Sequence, residues 1–413
     1  MEYAYLNKEV IYNNIRNLSQ VTFEVTDACN LQCKYCGYGE LYEGYDVREC
    51  KKLPIEQAYS LLEYLYAHWQ QSDSYHKRTY ISFYGGEPLL NMDFIRGVVD
   101  WIMNHRIPQC DFVFTMTTNG MLLDRYIDYL VGHDFKILVS LDGNRENNGY
   151  RVDLSGRPSF DRVFANVKSV QQRYPDFFEK NISFNSVLHN LNDYQDIIHF
   201  FQKEFNKVPS VSELSISGVK EERMEEYQKM RNNKLNSFDK IPDKERLNGS
   251  LFMDVPETSI FCTYLHAHSG NVYYSYRDLL IDQEERMWYP TGTCLPFGKK
   301  MFVTVNGKIL PCERIKQEYA LGHVDEKGVF IDIDGIVDKY NLFYSKYIPQ
   351  CSKCYHNNTC KHCMFQNADL QGKAECPTFM NKENFELYES DQLRYLSKHP
   401  FLYKRIMTEV IIH

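Results

Sequence analysis

Long apolar runs are missing from this chain. None of its 413 residues lies in a stretch approaching the roughly 18 uninterrupted apolar residues of a membrane-spanning helix, which excludes a helical membrane protein. The opening Met1-Glu2-Tyr3-Ala4-Tyr5 has neither the basic nor the apolar region of a secretory signal, so a cytoplasmic, reducing compartment is expected. An excess of positive charge is missing too: Lys and Arg number 47 against 55 for Asp and Glu, a net charge of −8. That balance makes nucleic-acid backbones a poor default partner. No internal repeat or low-complexity segment occurs, which sets aside solenoids and compositionally biased tails. What is present, 43% hydrophobic and 25% charged residues, is the mixture of a globular protein with room for two or three domains and a large core. The 32 tyrosines read as aromatic packing.

Cysteine is the residue in surplus, 13 in all. In a reducing compartment, clustered cysteines read as metal ligands before they read as disulfides. Three fall between Cys29 and Cys36, and eight between Cys262 and Cys376. Cys110, before the apolar run Phe112-Val113-Phe114, reads as a small buried hydrophobe. Cys50 is assigned no role.

Residues 21–218 alternate β-rich runs with helical stretches. Strands are predicted at Val21–Thr26, Thr79–Tyr84, Phe112–Thr118, Lys136–Leu141, Ile182–Leu188 and Ser212–Ile216. Helices are predicted at Leu53–Gln70, with Pro54 near its start, and at Phe94–His105, Leu123–Val131, Phe160–Arg173 and Tyr194–Phe205. Such alternation means a parallel sheet with crossover helices. Six units are too few for the usual eight-unit barrel, so the expected class is α/β, a partial (β/α)6 TIM-like barrel over residues 1–218. Residues 219–257 read as a charged helix and a linker (Lys240–Asn248). Residues 258–382, with short β-runs such as Lys300–Val305, read as a smaller region folded around metal, and 383–413 as a helical tail.

The first predicted strand runs into Cys29-Asn30-Leu31-Gln32-Cys33-Lys34-Tyr35-Cys36. Three thiolates in one loop can each take one iron of a four-iron, four-sulfur cube, leaving the fourth iron open to a small molecule. A zinc site or a redox thiol pair competes with this reading, but zinc loops usually pair two cysteines here with two ligands further on. With aromatic Tyr35 before the last cysteine, the motif resembles the signature of the radical S-adenosylmethionine (SAM) superfamily. Tyr84-Gly85-Gly86-Glu87-Pro88, after the second strand, resembles that family's GGEP turn, which holds the SAM methionyl amino group. Glycines there let backbone approach a ligand, and a carboxylate can accept from an ammonium. Val139-Ser140-Leu141-Asp142-Gly143 and Tyr150-Arg151-Val152-Asp153 resemble the stretch around the ribose and carboxylate of SAM. The resemblance implies Ser140 on a ribose hydroxyl and Arg151 on the SAM carboxylate, against the plain alternatives of a strand-end polar residue and a surface arginine. Asn119 joins the cofactor set, although turn chemistry alone accounts for Asn119-Gly120.

The later cysteines resemble the SPASM extension of peptide- and protein-modifying radical SAM enzymes: Cys294, Gly307 and Cys312, then Cys351-x-x-Cys354, Cys360-x-x-Cys363 and Cys376. One departure is the pair Lys361 and His362, where that pattern usually has three residues. The resemblance implies two auxiliary [4Fe–4S] clusters beside the SAM-binding one: Cys294, Cys312 and Cys363 on one, and Cys351, Cys354, Cys360 and Cys376 on the other. Two complete clusters need eight thiolates, which makes Cys262 the candidate eighth ligand, though it lies far upstream and also reads as a plain buried cysteine.

The resemblance further implies that one electron from the first cluster splits SAM, and that the resulting 5′-deoxyadenosyl radical takes hydrogen from a substrate while the protein supplies position and excludes water. Glu313, after Cys312, sits where sulfatase-maturing relatives place an acidic general base; the alternative is a surface carboxylate pairing with Arg314 or Lys316. The leading expectation is a maturase that crosslinks a ribosomally made peptide by a thioether or carbon–carbon bond. The second is an anaerobic sulfatase-maturing enzyme making formylglycine from Cys or Ser, against which Glu313 replaces the usual Asp and Tyr84 the frequent Gln. The third, from another class, is a non-catalytic zinc scaffold. Expected partners are a peptide or protein substrate and an electron donor such as flavodoxin or ferredoxin. Only about twenty residues precede the first strand, which leaves no room for an N-terminal leader-binding domain; leader recognition is then expected of a separate leader-peptide-binding protein or of residues 219–290. No nucleic acid and no membrane are expected among the partners.

Overall fold

The computed structural model describes residues 3–72, 77–108, 110–234, 237, 256–269, 272–273, 280, 287–367, 372 and 374–409. The expected linker Lys240–Asn248 lies outside them. The chain divides into two compact units. The sheet unit comprises Asn7–Asn233 and Cys294–Val337; the cysteine-rich unit comprises Met1–Leu6, Lys234–Thr293 and Asp338–His413.

Six strands of the sheet unit pair in chain order, all parallel: β1 (Gln20–Thr26), β2 (Lys77–Gly85), β3 (Cys110–Thr118), β4 (Lys136–Ser140), β5 (Ile182–Leu188) and β6 (Ser210–Glu213). The helices of this stretch are α1 (Lys8–Arg16), α2 (Ile55–Trp69), α3 (Met92–Asn104), α4 (Leu123–Gly132), α5 (Phe160–Arg173), α6 (Pro175–Asn181), α7 (Tyr194–Phe205) and α8 (Met224–Met230). This is the partial barrel expected from the alternation. Helix α2 buries Ala58, Leu61, Leu62, Leu65 and Trp69, a stripe at three- and four-residue spacing. Helix α7 begins where Asp193 accepts from the Asp196 N–H and ends at Asn206, whose φ of 52° lies in the left-handed region. Val21, Phe23 and Val25 of β1 are fully buried on one face, while Gln20, Thr22, Ser82, Thr115, Thr117 and Ser183 turn polar groups into the barrel.

Four later strands extend this sheet: β7 (Met301–Val303), β8 (Lys308–Leu310), β9 (Gly322–Asp325) and β10 (Gly328–Ile331). Strand β7 pairs in parallel with β1, Val21 opposite Met301, and the rest follow antiparallel. The sequence grouped Lys300–Val305 with residues 258–382; the structure places it against β1. Its residues Met301, Phe302 and Val303 are all buried there, and they cover an edge that β1 would otherwise expose. Strand β6 ends at Glu213, short of the predicted Ile216, which is 58% exposed.

In the cysteine-rich unit, α9 (Pro256–His268), α11 (Lys382–Lys398) and α12 (Pro400–Glu409) share an apolar cluster that includes Phe261, Leu265, Leu396 and Ile406. Helix α10 (Ile333–Cys351) contributes Tyr340, Phe343, Tyr344 and Tyr347, all buried. Among the described residues, no helix is long and apolar enough to cross a membrane.

Candidate active site

Strand β1 ends at Thr26 and delivers the chain into the cysteine loop. The loop is held by backbone bonds from Gln32 N to Val152 O (2.7 Å), Lys34 N to Tyr150 O (3.2 Å) and Cys36 N to Cys33 O (3.1 Å). Cys29, Cys33 and Cys36 are half-buried. Burial pushes the Cys29 thiol up to about 11 and the Cys33 thiol up to about 12, and in each case the neighbouring Cys36 adds to the rise. Among the described residues, no three of His, Cys, Asp and Glu converge on a point that one metal ion would occupy.

The Gly85-Gly86-Glu87-Pro88 turn packs on the same strand end. Gly85 has φ +131°, and a Cβ on it would lie 2.3 Å from Thr26 O; one on Gly86 would lie 2.0 Å from Ala28 O. The close approach that requires glycine is to the chain itself, sealed by Gly86 N to Thr26 O (2.8 Å) and Glu87 N to Ala28 O (2.9 Å). Glu87 departs from expectation. It is fully buried, with Oε1 accepting from Thr118 Oγ1 (2.7 Å) and Leu89 N (3.1 Å) and Oε2 from Asn119 N (2.8 Å). These internal donors occupy the carboxylate that was expected to meet the SAM ammonium. Burial pushes its pKa up to about 7 despite those bonds. Pro88 opens the buried single turn Pro88–Asn91. Asn119 does more than shape its turn: Nδ2 donates to Asn30 Oδ1 (2.7 Å) and lies 3.8 Å from Cys29 Sγ.

Arg151 also departs from expectation. It is buried, and its Nε and Nη2 meet Asp142 Oδ2 (3.0 Å) and Oδ1 (3.1 Å). Tyr35 donates its hydroxyl to Asp142 Oδ2, Val187 N donates to Oδ1 (2.9 Å), and His189 Nε2 lies 3.6 Å from Oδ2. Burial raises the pKa of Asp142, but Arg151 and His189 outweigh it and bring it down to about 2. The Nε–Nη2 edge is committed inside the fold, where it fixes Tyr35 and with it the cysteine loop, and Nη1 stays outside that pair. Sequence reasoning passed over Asp142 and His189 as site residues; the Asp142-Gly143 turn after β4 was the available signal. Ser140 is half-buried at the end of β4, opposite Asn185.

Inside the barrel, a cavity of about 310 Å³ is lined by Thr22, Ser82, Tyr84, Thr115, Lys300 and Glu313, among others. Lys300 Nζ reaches both Glu313 oxygens, at 3.2 and 3.0 Å. Burial opposes the charge of Glu313, but Lys300 overcomes this and holds the carboxyl below the usual glutamate range. Of the partners foreseen from sequence, Arg314 is a second, longer ion pair, its Nε 3.9 Å from Glu313 Oε1, and Lys316 pairs instead with Glu43.

The cysteine-rich unit has its own cavity, of about 460 Å³, lined by Cys351, Cys354, Cys360 and Cys376 together with Tyr3, His356 and His362. Burial pushes the Cys351 thiol up to about 11, with Cys360, Cys376 and Cys354 contributing. These are the four cysteines that the family resemblance groups on one auxiliary site. Gly292 closes one wall, since a Cβ on it would lie 2.2 Å from Cys360 O. The other expected set draws on both units, Cys294 and Cys312 from the sheet unit and Cys363 from the cysteine-rich unit. Cys262 is packed as the plain buried cysteine that the sequence offered as the alternative to an eighth ligand. It is 4% exposed among Phe261, Tyr264, Leu265 and Leu396, and burial alone raises its thiol to about 11, with no other cysteine contributing. Its neighbours Ile260 and Thr263 line the cavity, but Cys262 does not.

Residues 23–203 match the family model of the radical SAM superfamily. That segment, a little under half of the chain, is a radical SAM domain. The chain is 24% identical over 194 residues to the cysteine-type anaerobic sulfatase-maturating enzyme of Clostridium novyi (strain NT), a match covering 46% of this chain and 49% of that one. It is 27% identical over 212 residues to the radical SAM cyclopropyl synthase TigE of Paramaledivibacter caminithermalis, covering 48% of this chain and 41% of that one. The chain thus spans about half the length of the curated relatives it matches. The solved structure of native anSMEcpe with bound AdoMet and Cp18Cys peptide shares the fold, with a TM-score of 0.59 at 16% identity, over 94% of this chain and 98% of that one.

The superfamily implies a [4Fe–4S] cluster and SAM, and the radical SAM core fits both. Cys29, Cys33 and Cys36 would hold three irons and leave the fourth open, and the Gly85-Gly86 backbone adjoins that loop. When bound, the pair supplies a 5′-deoxyadenosyl radical for hydrogen abstraction. The chain's own part is to fix the thiols on a strand end, to keep the loop half-buried from water, and to hold a carboxylate at Glu313.

Proposed function

We propose that this radical SAM enzyme is a maturase that crosslinks a ribosomally made peptide, with a SPASM-type auxiliary cluster held by Cys351, Cys354, Cys360 and Cys376. The cavity that gathers those four cysteines carries the reading. Structural zinc sites also use four thiols, but here they accompany a radical SAM core, in which an added redox centre has a use: it accepts the electron left on an oxidised product. Glu313, kept charged by Lys300 at the wall of the barrel cavity, takes the proton released with that oxidation. The electron comes from a donor such as flavodoxin or ferredoxin.

The second reading, oxidation of Cys or Ser to formylglycine, draws support from the resemblance to the sulfatase-maturating enzymes. Mass spectrometry separates the two. Reconstituted enzyme, SAM and dithionite are incubated with a short Cys-rich substrate peptide, and in parallel with a Cys-containing sulfatase peptide. A crosslink removes hydrogen and keeps every heavy atom; formylglycine made from Cys loses sulfur and gains oxygen. Conversion of the sulfatase peptide alone would overturn the crosslinking assignment, and colourless protein holding zinc without sulfide would overturn both readings in favour of the scaffold.

A further inference from the structure

The inside of this barrel is not built like a core. In a closed eight-stranded barrel, layers of Val, Ile and Leu fill the interior. Here the apolar residues take the other face of the strands: Phe83 of β2, Phe114 and Met116 of β3, Ile137 and Val139 of β4 and Phe184 of β5 are all buried. The alternate, inward positions hold neutral polar groups. Gln20, Thr22, Ser82, Thr115, Thr117 and Ser183 line the barrel cavity of about 310 Å³, with Leu138 as an aliphatic member of the inward set. Gln20 Nε2 donates to Ser82 Oγ (2.8 Å), and the Ser82 and Thr115 hydroxyls bond each other (2.5 Å). Thr117 is half-buried, and its hydroxyl has no hydrogen-bond partner among the described residues.

The charges at the cavity are already matched. Lys300 Nζ meets both Glu313 oxygens, and Lys136 Nζ turns to Asn181 Oδ1 and Asp134 Oδ2. A charged guest would shed its water here and find no free counter-charge. An aliphatic guest would strip water from the hydroxyls and give no hydrogen bond back. A side chain that donates and accepts at once suits every group on the wall, because each hydroxyl also does both. A carboxamide matches the Lys300–Glu313 pair as well: its carbonyl accepts from the ammonium and its amino group donates to the carboxylate. The cavity borders the cysteine loop, where hydrogen abstraction would begin. Burial raises the pKa of Tyr84 in the cavity wall, and the nearby charges of Glu313 and Cys36 add to the rise.

We propose that the barrel cavity admits an uncharged, hydrogen-bonding side chain of the substrate peptide, with a carboxamide as its best match. This rests on the maturase reading and names the class of residue that the enzyme works on.

The test measures binding with three side chains of nearly one shape. Peptides acetyl-Gly-Ala-X-Ala-Gly-amide, with Asn, Leu or Asp at X, are titrated calorimetrically into the reconstituted full chain with SAM. The Asn peptide is expected to bind roughly tenfold to a hundredfold more tightly than the Leu and Asp peptides. Thr117→Val keeps the shape of the side chain and removes only the hydroxyl, and should cut the Asn-over-Leu preference by about fivefold to tenfold. Equal affinity for the Asn and Leu peptides overturns the proposal, as does tighter binding of the Asp peptide, the lack of saturable binding for all three, or an unchanged preference in Thr117→Val. If Thr117→Val does not fold, Ser82→Ala takes its place in the same comparison. The crosslink is read separately by mass spectrometry. Asn-selective binding without any crosslinked product supports the cavity's selectivity and removes the maturase reading. Crosslinking of substrate peptides with Asn or Leu at the modified position at equal rates keeps the maturase reading and overturns this one.

Discussion

The two cysteine sites are built by different means. In the sheet unit, three cysteines share one loop, and the fold braces that loop with its own bonds: β1 aims it, residues 150–152 bond its backbone, and the buried Tyr35–Asp142–Arg151 network pins its last turn. In the cysteine-rich unit, Cys351 ends a helix, while Cys354, Cys360 and Cys376 stand on turns and short irregular segments. No strand in the described part of that unit supports them. The comparison teaches that a loop braced by protein bonds leans less on its metal, whereas ligands on irregular backbone depend on theirs to stay together.

The strongest way to separate the two sites is to remove the loop's thiols. Changing Cys29, Cys33 and Cys36 together to Ala is expected to abolish 5′-deoxyadenosine formation under dithionite and to lower iron by one cluster's worth, with the remaining iron kept. If the triple variant still makes 5′-deoxyadenosine, the catalytic assignment of the loop is wrong. Glu313→Gln comes next in size. Peptide product should fall about 10²- to 10⁴-fold, the usual reach of a general base, while SAM cleavage continues; product formation at the wild-type rate would reduce Glu313 to a structural partner of Lys300.

Chelation tests the comparison directly. Stripping metal should lower hydrogen-exchange protection around Cys351–Cys376 and spare β1 to β5. Equal loss in both units would mean that the loop is no better braced than the cavity. A smaller effect is expected at Cys262. Cys262→Ala should keep full iron and lose roughly 1 kcal/mol of stability, the scale of one buried methylene, as read by thermal or chemical unfolding. A drop in iron would restore Cys262 as a ligand.

The finest contrast is the sign of the pH response in metal-free protein. Burial raises Glu24 and Glu87 to about 7. Their contribution is fully present below the ordinary glutamate range and fades as pH rises through 7. Burial lowers His356 and His362. Their contribution is present above the ordinary histidine value and is lost as pH falls through the lowered values. Going from pH 7.5 to 5.5, protection factors corrected for intrinsic exchange should rise in the sheet unit and fall in the cysteine-rich unit. Glu87→Gln should flatten the first trend, and parallel trends in the two units would refute the contrast.

Local chemistry was sufficient for much of this protein. The six parallel strands follow from periodicity and the three-cysteine loop from spacing, because each depends on residues close along the chain or on a repeated pattern; the glycine turn and the grouping of Cys351, Cys354, Cys360 and Cys376 are what the family resemblance implies. Tertiary structure alone decided the rest. The apolar run at Met301–Val303 could complete any exposed edge, and only the assembled sheet shows that the edge belongs to β1. Arg151 had the right charge for a SAM carboxylate, yet Asp142 sits close enough to take it. Glu87 had the right carboxylate, yet Thr118 and Asn119 occupy it. Cys262 had the right count, yet Phe261, Leu265 and Leu396 surround it. In each case residue type sets what a side chain is able to bind, and the neighbours that folding brings within hydrogen-bonding or packing distance decide what it does bind.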